Sequence, residues 1–238
     1  ALNWQVDTST YDLINFKGYE AAYKKSNISG LNRLYYDQSK PYNKKIKYFN
    51  HYFAIDSVKK PRAYIIPQAW GNVITLLKLN DVFVKTLTND TSMEVNCYYI
   101  EEFKTTPKPY EGHYLHSNVA LKKSKQLLHF YKGDYIIWCN QNANRFILET
   151  LEPKAPDSYF NWNYFDSALQ QKEWFSDYVY EETAEKVLRE NPGLKIEFEK
   201  HVKDKKLENN HWEQLAWIFM HAPQYEKSAH RYPIFRLD

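Results

Sequence analysis

An α+β fold is predicted, and three features of the sequence predict it. Apolar residues recur at helical spacing from Val73 to Leu79, between two short apolar runs, Ala63–Ile66 (AYII) and Val82–Leu87. From Glu94 to Cys139 the period drops to two, the signature of strands. Beyond Asn142 helical spacing returns and persists almost to the end. Strand, helix and strand at the first spacing make a βαβ unit, expected to be right-handed with parallel strands. The expectation is therefore a βαβ unit extended by antiparallel strands into a mixed sheet, with a C-terminal helical cap and an irregular N-terminal arm.

Residues 1–60 are tyrosine-rich, with strand-like pieces at Asp12–Phe16 and Lys47–Phe53 but no sustained helical period. They are expected to form an arm lying over something else, since alone they have little with which to make a core. Order begins at Pro61. Pro67 ends the first short strand, Val73, Ile74, Leu76, Leu77 and Leu79 form a buried helix, and Asn80-Asp81 closes it. Val95–Phe103, Tyr114–Ala120, Gln126–Phe130 and Tyr135–Trp138 then read as strands, with Lys132-Gly133-Asp134 as a hairpin turn.

Asn142 is a fitting N-cap for a helix whose stripe is Ala143, Phe146, Ile147 and Leu151, with Pro153 beyond its end. Ser167 and Gln170 have capping-box spacing for a helix through Phe175. Further helices are marked by Ala184, Val187 and Leu188, by Leu194, Phe198 and Val202, and by Trp212, Leu215, Ala216 and Phe219. The organisation is thus an arm at 1–60, an α/β core with antiparallel strands at 61–150, and an aromatic joint with a helical cap at 151–238, forming one compact unit with the core.

The joint is the most aromatic stretch of an aromatic chain, which has 21 Tyr, 13 Phe and 7 Trp against 6 Gly. LEPKAPDSYFNWNYFD (151–166) holds Tyr159, Phe160, Trp162, Tyr164 and Phe165. Rings at both parities do not make one exposed sugar-stacking face, so the segment is expected to be sandwiched between the sheet and the C-terminal helices.

Charge excludes some functions. The 32 basic and 29 acidic residues leave a net +3, and the lysine clusters at 44–45, 59–60, 122–125 and 203–206 are separated by acids or rings. No continuous basic face is expected, so nucleic acid is not a partner. No apolar run approaches the ~18 residues of a membrane span. The chain begins at Ala1, which suggests a processed product or an excised fragment. The sequons at Asn27 and Asn89 mean little without a host, and the redox state of Cys97 and Cys139, neither in a CxxC motif, is open.

Each candidate site competes with a structural role. Glu111, His113 and His116 could bind a metal, but in an extended segment Glu111 and His113 share one face and His116 points the other way. A turn would have to break that alternation. Hydrogen-bonding histidines are the preferred reading, while His201 beside Asp204 among lysines reads as a solvated face and His221 and His230, in an irregular segment, suggest nothing specific. Cys139 follows a strand and precedes a helix, as a nucleophile does, yet Trp138 and Asn140 are too bulky for a sharp elbow, and a packed thiol is expected. Glu149, Glu152, Asp157 and Asp166 could supply a glycosidase pair, but Glu149 and Glu152 end a helix and Asp166 has a capping role open to it.

Several long motifs carry a resemblance. KGDYIIWCNQNANRFILETLEPKAPDSYFNWNYFD (132–166), QQKEWFSDYVYE (170–181) and RYPIFRLD (231–238), with FKGYE, GLNRLYYD, PRAYIIPQAW and PYEGHYLHSN earlier, resemble the C-terminal region of bacterial zinc carboxypeptidase-like metallopeptidases. The similarity covers essentially the whole chain. In that family the zinc is held by an HxxE pair and a further histidine in an upstream peptidase domain. None of the eight histidines here has Glu three positions on, so no ligand carries over. Cys139 departs from the small or proline residue that relatives often have.

The resemblance implies a non-catalytic accessory domain of an exported protein, periplasmic or secreted, with zinc in the missing domain and none in this chain. Its partners would be that upstream domain and peptide or peptidoglycan. The rival expectation is a cell-wall glycan or peptide-binding module using Trp70, Trp162 and Trp174 as stacking surfaces and Arg145 as an anion contact. A self-contained enzyme is the third possibility.

Overall fold

A computed structural model describes residues 1–170 and 174–238, and the chain divides into two units, Ala1–Lys59 and Lys60–Asp238. The first unit is not irregular. Strands β1 (Asn3–Val6), β2 (Asp12–Lys25), β3 (Asn32–Tyr48) and β4 (Tyr52–Asp56) pair antiparallel as β1 with β4 and β2 with β3. The result is a ribbon nested about the tip at 26–31, where Ser26 donates its backbone N–H to the Leu31 carbonyl.

Sequence pattern hides these strands for a physical reason. Alternation marks a strand when one face is buried, and here Leu2 is the only buried residue. Ile14 faces Ile46 across the ladder while Leu13 faces Lys47, so both faces mix apolar and charged side chains. Local contacts hold the ribbon together. Lysine ammonium groups sit over tyrosine rings, Lys24 over Tyr35 at 4.6 Å and Lys44 over Tyr42 at 4.4 Å. Tyr42 also lies across Gly18, where a β-carbon would stand 2.7 Å from the tyrosine hydroxyl. Pro41 falls at a register shift next to Glu20, a place where a missing N–H does no harm.

The second unit carries β5 (Ala63–Ile66), a 3-10 turn at Gln68–Trp70, α1 (Gly71–Leu79), β6 (Lys85–Thr86), β7 (Thr91–Thr105), β8 (His116–Phe130) and β9 (Tyr135–Trp138). After these come α2 (Asn144–Leu151), α3 (Asp166–Leu169), α4 (Asp177–Glu190), α5 (Pro192–Lys205), α6 (His211–His221) and β10 (Phe235–Leu237). The class is α+β, as expected. The six-stranded sheet runs β6-β9-β5-β10-β7-β8, and every neighbouring pair is antiparallel.

β5 and β6 do run in the same direction on either side of α1, but β9 lies between them and pairs with both. The βαβ unit is therefore split. β5 is buried at every position, so both of its edges need strands that are themselves apolar; YIIW of β9 and FRL of β10 provide them.

β7 and β8 form one long hairpin, and the expected break between Ala120 and Gln126 is absent because the ladder continues through Lys122, Lys123 and Lys125 on its solvated edge. Lys132-Gly133-Asp134 turns the chain, with Gly133 at φ 103°, but it joins β8 to β9, which are not neighbours. In a flat sheet those strands would lie about 19 Å apart. The chain from Phe130 to Tyr135 spans at most about 18 Å, and it is folded into a turn. The sheet must curl. Asp134 fixes this corner, its carboxylate accepting from the backbone N–H of Gln68 at 3.0 Å and of Tyr131 at 2.8 Å.

Alternation along β5 divides the interior. Tyr64 and Ile66 face a large core with Val73 and Leu77 of α1, Ile147 and Leu151 of α2, and Tyr98 and Ile100 of β7. Ala63 and Ile65 face a smaller one with Val95, Cys97, Phe130, Ile136 and Phe235. Helices α4 to α6 bury a separate apolar cluster around Tyr180, Ala184, Val187, Leu215 and Ile218. α2 starts at Asn144 rather than after an Asn142 cap, and the Asn144 side chain accepts from the Gln141 N–H. The helix expected through Phe175 appears as the single turn α3; residues 171–173 lie outside the described residues.

Candidate functional site

The joint decides where the candidate residues go. Its rings Phe160 and Phe165 are buried, Phe160 edge-on to Phe103 of β7 at 5.6 Å and Phe165 against Tyr232 at 5.2 Å. It packs on the helix-bearing face of the sheet, while α4 to α6 keep their own cluster. Pro153, Pro156 and a chain of tight turns from Ala155 to Tyr164 place successive side chains on different sides.

One side reaches into the core. Glu152, at the C-terminal end of α2, is 2% exposed and meets Arg236 of β10, 4% exposed, at 2.9 Å. The Tyr64 hydroxyl donates to one carboxylate oxygen and the Tyr98 hydroxyl to the other at 3.1 Å, while Arg236 donates to the Tyr98 oxygen at 2.6 Å. Burial pushes the Glu152 carboxyl above the usual range, and Arg236 and the two hydroxyls pull it back. Burial, reinforced by the Glu152 charge, drives Tyr64 and Tyr98 well above ordinary phenols. Burial opposes the Arg236 charge as well, but Glu152 and the tyrosines outweigh it and hold the guanidinium ionised. Every polar atom of the carboxylate is engaged, and the network ties α2 to three strands. Its chemistry is structural.

A second side meets the end of the β7–β8 hairpin. A tight turn does break the extended segment that carries the metal candidates: Tyr110 and His113 exchange backbone hydrogen bonds, with Glu111 at φ 49° and Gly112 at φ 82° between them. The turn leaves Glu111 exposed and turns both histidines to the joint. His113 donates from Nδ1 to Asn163 at 2.7 Å and stacks on Tyr164 at 5.3 Å. His116, buried between Phe103 and Phe160, donates from Nε2 to Asp166 at 2.8 Å and hydrogen-bonds the Thr105 hydroxyl through Nδ1 at 3.0 Å. Both ring nitrogens of His116 are thus used. Among the described residues no group of three or more His, Cys, Asp or Glu is placed to hold a metal ion.

The third side is open. Between α1, α2 and residues 157–164 lies a groove of ≈ 420 Å³ lined by Phe146, Tyr159, Trp162 and Tyr164, with Glu149 and Asp157 among its polar residues. Trp162 donates from Nε1 to Asp157 at 3.3 Å, and Arg145 pairs with Glu149 at 2.9 Å one turn along α2. Burial and then the neighbouring Tyr164 push the Tyr159 phenol up to about 12, so it stays protonated at neutral pH.

The four carboxylates considered for glycoside hydrolysis therefore separate: Glu149 and Asp157 line the groove, Glu152 serves the core and Asp166 serves His116. The stacking candidates separate too. Trp162 lines the groove and Arg145 adjoins it through Glu149. Trp70 packs edge-on to Phe165 at 4.8 Å, and Trp174 lies against Trp212 and Phe219 in the helical cluster. Phe146, Tyr159 and Tyr164 were missed as groove residues because the first belongs to an ordinary helical stripe and the other two to a segment with no period.

The remaining candidates have structural surroundings. Cys139 is 2% exposed, and burial pushes its thiol up to about 11, against the pull of Lys60 and Arg236. His201 and His221 stack on Trp217 at 5.4 and 3.9 Å. Among the described residues no helix is long and apolar enough to cross a membrane. No protein-family model matches the chain, and no curated protein or solved structure matches it either.

Proposed function

We propose that this chain is a non-catalytic C-terminal accessory domain of an exported zinc carboxypeptidase-like metallopeptidase, and that its groove presents peptide or cell-wall ligand to the neighbouring peptidase domain. The observation that carries the proposal is the groove itself: four rings and two carboxylates meet on α1, α2 and the joint, and two of the motifs that carry the family resemblance help to build it. KGDYIIWCNQNANRFILETLEPKAPDSYFNWNYFD supplies α2 and the joint, and RYPIFRLD supplies Arg236, which anchors α2 through Glu152. Aromatic walls with a few oriented polar groups are the usual makeup of a small-ligand site.

In this reading zinc would belong to the upstream domain, where it would supply Lewis-acid chemistry for peptide hydrolysis. This chain's residues bind and position. The export assignment and the partner domain rest on the sequence motifs alone. A periplasmic or secreted setting would bring peptidoglycan fragments within reach.

Isothermal calorimetry of the purified chain against muropeptides is the test. Heat at millimolar ligand or below, lost in Trp162→Ala, supports presentation. No heat at that concentration reduces the domain to a buttress. A stoichiometric zinc content in the isolated chain would make it an enzyme in its own right and overturn the proposal. The runner-up, a cell-wall-binding module with no peptidase attached, separates by the reading frame upstream of Ala1, where an HxxE-bearing domain is expected.

A further inference from the structure

We infer that the groove between α1, α2 and residues 157–164 selects ligands carrying a protonated primary amine. The inference rests on the groove reading above and deepens it. The groove is aromatic on its walls, and its polar inventory is one-sided. Glu149 and Asp157 are acceptors, and among the described residues no lysine or arginine lines the groove.

The other polar lining groups offer few donors. Asn80 uses its amide N–H on the Leu76 carbonyl at 2.9 Å, and Thr150 uses its hydroxyl proton on the Phe146 carbonyl at 2.8 Å. What remains are the second Asn80 N–H, the hydroxyls of Tyr159 and Tyr164, and two carboxylates, each with several lone pairs and one side-chain partner. Neither partner neutralises the groove. Trp162 donates from a neutral indole, and Arg145 reaches Glu149 with a side chain that is 77% exposed, a surface pair that exchanges readily with solvent or with a ligand cation.

An ammonium group complements this lining. It has three donors and no acceptor, it pairs with either carboxylate, and it is attracted to the faces of Trp162 and Tyr164. A free carboxylate or phosphate would meet two like charges. A neutral sugar or acetamide would gain the stacking but not the charge contact. The chemistry fits a lysine-type side chain in a peptide and an unacetylated amino sugar equally well, so the experiment carries both.

Four ligands are titrated into the isotopically labelled full chain at about pH 6, where both amines are protonated: acetyl-Ala-Lys-Ala-amide, the same peptide with Nε-acetyl-lysine, tetraglucosamine and tetra-N-acetylglucosamine. The expected result is a shift of the Trp162 indole N–H. At least one amine should bind about tenfold more tightly than its acetylated twin, and the twin pair that discriminates identifies the source. Glu149→Gln/Asp157→Asn should abolish the discrimination while leaving the circular dichroism spectrum and melting temperature unchanged. Equal affinity within both twin pairs would overturn the amine inference and leave the groove reading standing. No shift at Trp162 with any of the four would overturn both.

Discussion

Arg236→Met tests the assignment of the Glu152 network as structural. The substitution keeps most of the side-chain volume and removes the guanidinium that faces Glu152 at 2.9 Å. Glu152 is 2% exposed, so it would either hold a proton or carry an uncompensated charge in the core. Breaking one side of a buried ion pair costs roughly 3–5 kcal/mol. In a domain of 150–250 residues each kcal/mol moves the melting temperature by about 2–4 °C, so the midpoint should fall by about 6–20 °C.

The pH dependence has a defined sign. Glu152 already titrates above its ordinary value through burial, and losing Arg236 raises it further. A carboxyl raised on folding gives stability that is fully present below the unfolded pKa and is lost as pH rises through the folded one. The deficit of Arg236→Met against the native chain should therefore be small near pH 4, where Glu152 is protonated in both, and grow towards pH 7. Adding Glu152→Gln should recover most of the loss, because the buried charge then disappears while Tyr64 and Tyr98 keep an acceptor. Scanning calorimetry of the three proteins between pH 4 and 8 is the measurement. A cost below about 1 kcal/mol, or a deficit flat across that range, would refute the reasoning, since an uncompensated core charge produces neither.

Two other outcomes follow from burial. Cys97 and Cys139 should resist alkylation at pH 8 in the native chain and react at once in denaturant, as read by mass spectrometry; native labelling of Cys139 would contradict its burial and its thiol near 11. Residues 1–59 expressed alone should show no cooperative thermal transition by circular dichroism, because a two-stranded ribbon with a single buried residue lacks a core, whereas 60–238 should retain one.

The class, most helices and most strands of the second unit were legible in the sequence because most of them bury one face, and a buried face imposes a period; in α5 the marking stripe is only half-buried. Ala63–Ile66 and Tyr135–Trp138 coincide with their observed strands, and α4, α5 and α6 contain every residue that marked them. Of the ribbon of residues 12–48 only the piece Asp12–Phe16, the start of β2, was legible, and Lys47–Phe53 runs across the loop between β3 and β4; with both faces wet no period is required. Strand adjacency was not legible either. Nothing in the β5–α1–β6 spacing says that β9, some fifty residues later, inserts between the two strands; that follows from the demand of AYII for apolar neighbours on both edges.

The candidate residues divide in the same way. Rings at both parities marked the joint as a buried, ring-filled segment between the sheet and the C-terminal helices; it does pack on the sheet, but α4 to α6 keep a cluster of their own. Which acid goes where was decided only by tertiary structure. Glu149 and Glu152 stand three positions apart at the end of one helix, yet one faces an open groove and the other is enclosed by Tyr64, Tyr98 and Arg236. His113 and His116 were read as hydrogen-bonding side chains, but their partners, Asn163 and Asp166, lie fifty residues away. A local pattern sets which way a side chain points from its own backbone; what it meets there is supplied by distant segments, and only the folded chain brings them together.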